Sequence, residues 1–199
     1  MCCYYLQHTW TYGSRIEGMF DTDGSMAQIS KLCSPLPSDF GNRVVMYFTP
    51  NLKVAEYYAG YAKRRTECES VVMIVLHIPN AAIQSLTKLE IQHLHWPSDM
   101  KHLRVYKEAT LIIGSISRKP NNVYHRLDTW EGVTEQYLLK LKPDGRTGAD
   151  GTIATQYAIQ GQEKGGDWLV ENGGKDIKVF LILTLHWRVS LPRTETKSY

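Results

Sequence analysis

The chain has little of several things that would narrow its class at once. No run of about 18 apolar residues occurs anywhere in its 199 residues, so the sequence offers no candidate for a membrane-spanning helix. The longest apolar stretch, Val179 to Leu185, has the length of a buried strand. The first thirty residues lack the apolar core of a signal peptide. Cysteine is scarce: Cys2, Cys3, Cys33 and Cys68 show no CxxC spacing, and the vicinal Cys2–Cys3 pair makes a poor disulfide framework. Reduced thiols and a cytoplasmic setting are therefore expected, with export by a route that has no recognisable signal left open. A formal charge of +3 is small and does not by itself argue for nucleic acid, which stays open as a partner without support; no membrane partner is expected. Internal repeats and low-complexity tracts are absent.

What is present suits an ordinary globular protein, with 43% hydrophobic and 22% charged residues. One domain over residues 1–190 is expected, followed by a frayed tail over 191–199. The apolar runs predict strands over Cys3–Thr9, Val44–Phe48, Val71–Ile78, Ala109–Ile116, 135–141, Thr152–Ile159 and 178–187. Thr49-Pro50 reads as a hydroxyl cap with proline at the first helical position. It predicts a helix over 51–64 whose buried face carries Leu52, Ala55, Ala59 and Ala62. Further helices are expected around 81–89, 99–106 and Trp168-Leu169-Val170, the last ending at Asn172-Gly173-Gly174. The run KPDGRTGADG reads as a loop. Strands outnumber helices and few alternate at crossover length, which predicts an α+β class rather than a doubly wound sheet.

Several local patterns carry no expected chemistry. His93 and His95 would share one face of a strand, but no completing set of ligands accompanies them, and no metal site is expected. Cys33 and Cys68 lack a nucleophile signature, and GRTGADG is not followed by the Lys-Ser/Thr of a phosphate loop. Lys63, Arg64 and Arg65 read as a solvated helix end. The cluster of Tyr47, Tyr57, Tyr58 and Tyr61 around a strand-to-helix junction stands out, because such a group makes either a core or an aromatic wall.

At this junction the stretch SDFGNRVVMYFTPNLKVAEYYAGYAKRR resembles the central segment of the ADP-ribosyltransferase superfamily. It is similar to the small domains of the His-Tyr-Glu branch, to which the poly-ADP-ribose polymerases belong. YYLQHTW resembles the family's first strand, KEATLIIGSIS an internal strand, and ATQYAIQGQEKGGDWLVENG the late strand with its short helix. The resemblance implies a split, two-sheet α+β core with peripheral helices and a cleft that holds NAD as substrate. It implies His8 at the motif histidine, with Thr9 where the family has glycine. It places Tyr47 at the nicotinamide-stacking position, with Tyr57 or Tyr58 opposite and Phe48 beside it, and Gln156 where the family has glutamate.

The site chemistry suits these types. Breaking the nicotinamide–ribose bond develops positive charge on the sugar. A histidine can hold a ribose hydroxyl, an aromatic face can stack on nicotinamide, and a carboxylate can favour the cation and activate an acceptor. Gln156 can hydrogen-bond ribose but supplies no negative charge; Glu163 and Glu135 are the candidate replacements. The implied activity is mono-ADP-ribosyl transfer to a macromolecule, or NAD hydrolysis. The alternatives are a catalytically silent binding module of the same fold, favoured by Gln156, and an RNA-directed phosphotransferase, which would need a more basic cleft.

Overall fold

The computed structural model describes residues 2–6, 21, 22, 28, 32, 33, 40, 44–66, 71–91, 104–119, 123, 133–161, 164–174 and 177–182. Its nine strands are β1 (Cys2–Leu6), β2 (Val45–Thr49), β3 (Val71–His77), β4 (Lys88–Ile91), β5 (Leu111–Ser115), β6 (Lys140–Leu141), β7 (Thr152–Ile153), β8 (Thr155–Gln160) and β9 (Ile177–Ile182). Four α-helices accompany them: α1 (Leu52–Thr66), α2 (Asn80–Ser85), α3 (Arg104–Glu108) and α4 (Lys164–Gly173). The α+β class expected from the sequence is what is observed.

Seven strands form one mixed sheet in the order β4-β5-β8-β2-β1-β3-β9, and β6 pairs with β7 in a two-stranded ribbon. Among the described residues only β4 and β5 run parallel, and the other ladders are antiparallel. The apolar runs explain the centre of the sheet. All of β2 is buried, as is the middle of β3, as expected for strands covered on both faces.

Alternation along the strands separates two cores. Val45, Tyr47, Met73, Ile112 and Ala158 face one side, together with Val54, Ala55 and Tyr58 of α1, Tyr106 of α3, and Leu139, Leu141 and Ala154 around the ribbon. Met46, Phe48, Ile74, Leu76, Leu111 and Ile159 face the other, against Leu169 of α4 and the partly buried Ala82 and Ile83 of α2. Helices thus cover both faces of the large sheet.

Several elements differ from expectation. The helix expected around 81–89 ends at Ser85, and Lys88–Ile91 instead pairs beside β5. Residues 135–141 are not one strand: Glu135–Tyr137 make a 3₁₀ turn, Leu138 makes a single bridge to Ser117, and only Lys140–Leu141 join a ladder. The strand over 152–159 is broken at Ala154, whose amide bonds Leu139 and whose carbonyl bonds Ile116, so the chain changes partners there. Of the first expected strand the described part is Cys2–Leu6, of the helix expected around 99–106 it is Arg104–Glu108, and of the last expected strand it is Ile177–Ile182; the remaining residues of these expectations lie outside the described residues.

In α1 the buried face is Val54, Ala55 and Tyr58; Leu52 is exposed and Ala59 half-buried, because the bulkier Val and Tyr side chains fill the core. Asn51, not Thr49, caps this helix: its Oδ1 accepts the Lys53 amide at 2.9 Å. The loop after β6 turns at Gly145, where φ is 83° and the amide bonds the Lys142 carbonyl at 2.9 Å. No helix among the described residues is long and apolar enough to cross a membrane.

Candidate functional site

Of the residues singled out by the sequence, Tyr47, Tyr57, Tyr58 and Gln156 lie on the first face of the large sheet, around β2 and β8. Tyr47 pairs with Ala158 across these strands. Gln156 lies two residues along β8 from Ala158, and period-2 alternation puts it on the face that Tyr47 occupies. Thr49 follows Tyr47 on that face by the same rule. The β2–β8 ladder therefore brings Tyr47 and Gln156 together, and Tyr58 of α1 packs into the same cluster. Tyr57 lies partly buried against that cluster, with its ring edge-on to Tyr58 at a centroid distance of 5.5 Å and an angle of 89°.

Phe48 does not share this site. It follows Tyr47 in the strand, so it faces the second core with Met46 and Ile159. Glu135 is exposed in the 3₁₀ turn, where its carboxylate pairs with Lys140. His8, Thr9 and Glu163, with His93, His95 and Cys68, lie outside the described residues. Cys33 is half-buried, and its Sγ donates to the Gly161 carbonyl oxygen at 3.8 Å.

The site is closed. Tyr47 is 1% exposed and Gln156 0%, so neither presents a ring or amide to solvent. Gln156 Nε2 donates to the Ser115 carbonyl at 3.2 Å, tying β8 to the end of β5. Thr49 is equally buried; its hydroxyl donates to the Thr155 carbonyl at 2.9 Å and accepts the Asn51 amide at 3.3 Å. This one side chain joins the end of β2, the start of β8 and the first turn of α1.

Phe40 completes the closure. Its ring lies 5.8 Å from the Tyr47 ring at 33°, and its amide donates to the Tyr47 hydroxyl at 3.0 Å. The Tyr106 hydroxyl donates to the Phe40 carbonyl. On its other side the Phe40 ring presses on Gly114, where an added Cβ would stand 3.0 Å from two ring carbons. Gly114 pairs with Gln156 across β5 and β8. A ring touching both Tyr47 on β2 and Gly114 on β5 bridges over β8, the strand between them. The sequence reading missed Phe40 as a site residue. Its place in Asp39-Phe40-Gly41 near the start of the motif segment was the only available signal. Tyr47 thus already has an aromatic neighbour in Phe40.

Chemically, the described face offers an aromatic ring, an amide and a hydroxyl in a dry setting. It can hold a planar ring and hydrogen-bond a sugar hydroxyl once opened, and it carries neutral rather than anionic groups at the Gln156 and Thr49 positions. No protein-family model matches the chain, and comparison with curated proteins and with solved structures gives no match either.

Proposed function

We propose that this chain is an ADP-ribosyltransferase-like domain that binds NAD at the Tyr47–Gln156 face and cleaves its nicotinamide–ribose bond. In this reaction the ribose C1′–nitrogen bond breaks and its electron pair leaves with nicotinamide. A nucleophile of a macromolecular acceptor or of water bonds to C1′ and loses its proton. Tyr47 stacks on nicotinamide, Tyr58 or Tyr57 supports that ring from α1, and Gln156 hydrogen-bonds a ribose hydroxyl.

The observation that supports this reading is the meeting of Tyr47 and Gln156, far apart in sequence, on one face of adjacent strands in the register of β2 with β8. The split core and the cleft of that family belong to the same proposal. A second reading, a silent module of the same fold, is favoured by Gln156 itself: a buried amide bonded to Ser115 supplies no charge to a ribose cation.

Incubating the purified chain with NAD separates the two. Free nicotinamide is measured, together with NAD affinity by calorimetry. Nicotinamide release above the buffer rate is expected. Binding without release would establish the silent reading, and neither binding nor release would remove NAD from the account altogether.

A further inference from the structure

We infer that Phe40 is an intramolecular occupant of the ring slot on Tyr47, so that a planar aromatic ligand must displace it; this rests on the reading of Tyr47 as the nicotinamide platform. The observations are local and mutually supporting. The Phe40 ring sits against the Tyr47 ring, and its far edge meets the bare backbone of Gly114, the one position in that row whose lack of a side chain makes room for it. Both peptide groups of Phe40 are held by tyrosine hydroxyls, the amide by Tyr47 and the carbonyl by Tyr106.

Phe40 is 5% exposed, and Tyr47 beneath it only 1%. A nicotinamide ring is about the size of the phenylalanine ring and wants the same contacts: an aromatic face on one side and a flat, side-chain-free floor at its edge. The two rings cannot share the slot. Binding therefore breaks the Phe40–Tyr47 contact and frees the Tyr47 hydroxyl for the ligand. The closed state lowers apparent affinity by the fraction of time the slot is open, and any change that loosens Phe40 raises it.

The two tyrosine hydroxyls differ in what they do. Tyr47 is part of the platform, whereas the Tyr106 hydroxyl donates to the occupant's carbonyl. Tyr106→Phe therefore loosens Phe40 while leaving the platform and the core volume in place.

The test uses nicotinamide as probe, because it is not consumed, with NAD as the second ligand. Tyr106→Phe should bind nicotinamide more tightly by about fivefold, the worth of one hydrogen bond to the closed state. Phe40→Ala should bind more tightly still, if its core cavity lets it fold. Amide hydrogen exchange gives an independent readout in wild type: saturating nicotinamide should speed exchange at the Phe40 amide while the β8 ladder stays protected. Unchanged or weaker binding by folded Tyr106→Phe, with Phe40 exchange unaltered or slowed by ligand, would overturn the inference while leaving the NAD reading intact. Absence of any nicotinamide or NAD binding by wild type and both variants would overturn the two together.

Discussion

The side chain of Gln156 combines complete burial with a donor bond to the Ser115 carbonyl, so replacing it by glutamate acts on stability and on chemistry together. Gln156→Glu removes the donor and sets a carboxyl against a carbonyl oxygen in a dry place. Burial disfavours ionisation, so the new group should titrate above the ordinary glutamate range. The folded state then binds the proton more tightly than the unfolded state, and the variant loses stability as pH rises from the unfolded value through the folded one. The melting deficit against wild type should be small near pH 4.5 and larger near pH 8; an equal deficit at both would mean that the side chain is not held against Ser115. If the domain turns over NAD, the ionised form should also speed nicotinamide release, by about a hundredfold where the slot opens. Asp150 titrates in the opposite sense. A hydrogen bond from Lys142, at 3.0 Å, is the main cause holding this exposed carboxyl below its ordinary 3.8, helped by a backbone hydrogen bond. Its contribution is present at neutral pH and is lost as pH falls through the lowered value. Lys142→Met should raise the Asp150 titration midpoint followed by carboxyl NMR, with a change in melting temperature that is small at neutral pH and vanishes in acid. The resemblance singled out Tyr47 and Gln156, and the β2–β8 register puts both on one face. The closure over them was not legible in the sequence, because it depends on Phe40 meeting Tyr106 and Gly114, whose distance along the chain no local pattern encodes.

At the scale of elements, the junction from β2 into α1 shows what local signals do and do not reveal. Thr49-Pro50-Asn51 announces a helix start, and a helix does start, but the tertiary structure divides the work between two residues. Asn51 takes the cap through its Oδ1. Thr49 turns its hydroxyl instead to the partly buried Thr155 carbonyl, because β8 lies alongside β2 there. The two substitutions therefore separate. Asn51→Ala should cost about 1 kcal/mol, mainly by fraying α1. Thr49→Val keeps the volume but leaves the Asn51 amide and the Thr155 carbonyl without this hydroxyl, and should cost about 1–3 kcal/mol, with Thr49→Ser recovering most of it. Urea unfolding measures both; equal costs for Thr49→Val and Thr49→Ser would show that the hydroxyl contributes nothing. Strands β3 and β5 were legible because their runs are apolar on both faces. Strand β4 was not: Lys88–Ile91 is four residues long, buries only Ile91 fully, and gains its identity from the parallel ladder to β5. The same holds for 135–141 and for Ala154, where an apolar run continues in sequence while the backbone exchanges one hydrogen-bond partner for another.

At the scale of the whole molecule, sequence periodicity indicated which apolar runs would become the main strands but not which would be neighbours. Placing β2 beside β8, and β1 between β2 and β3, requires long-range pairing whose register is written only in the match of two buried faces. That order creates the Tyr47–Gln156 meeting, and it also leaves β9 as the end strand of the described sheet. The end strand is an odd place for its composition. Val179 and Phe180 point to opposite faces, yet each is 46% exposed, in a strand that the sequence alone reads as interior. Natural edges are usually blunted by charge, and here Lys178 is the charged residue that β9 carries. Apolar side chains at such an edge add little to folding and favour contact between copies of the chain. Phe180→Lys should therefore leave the melting temperature within about 2 °C of wild type, since a half-exposed ring contributes only part of its burial energy. The same substitution should raise the protein concentration at which light scattering first reports association. A large fall in melting temperature would instead mean that Phe180 is packed in solution.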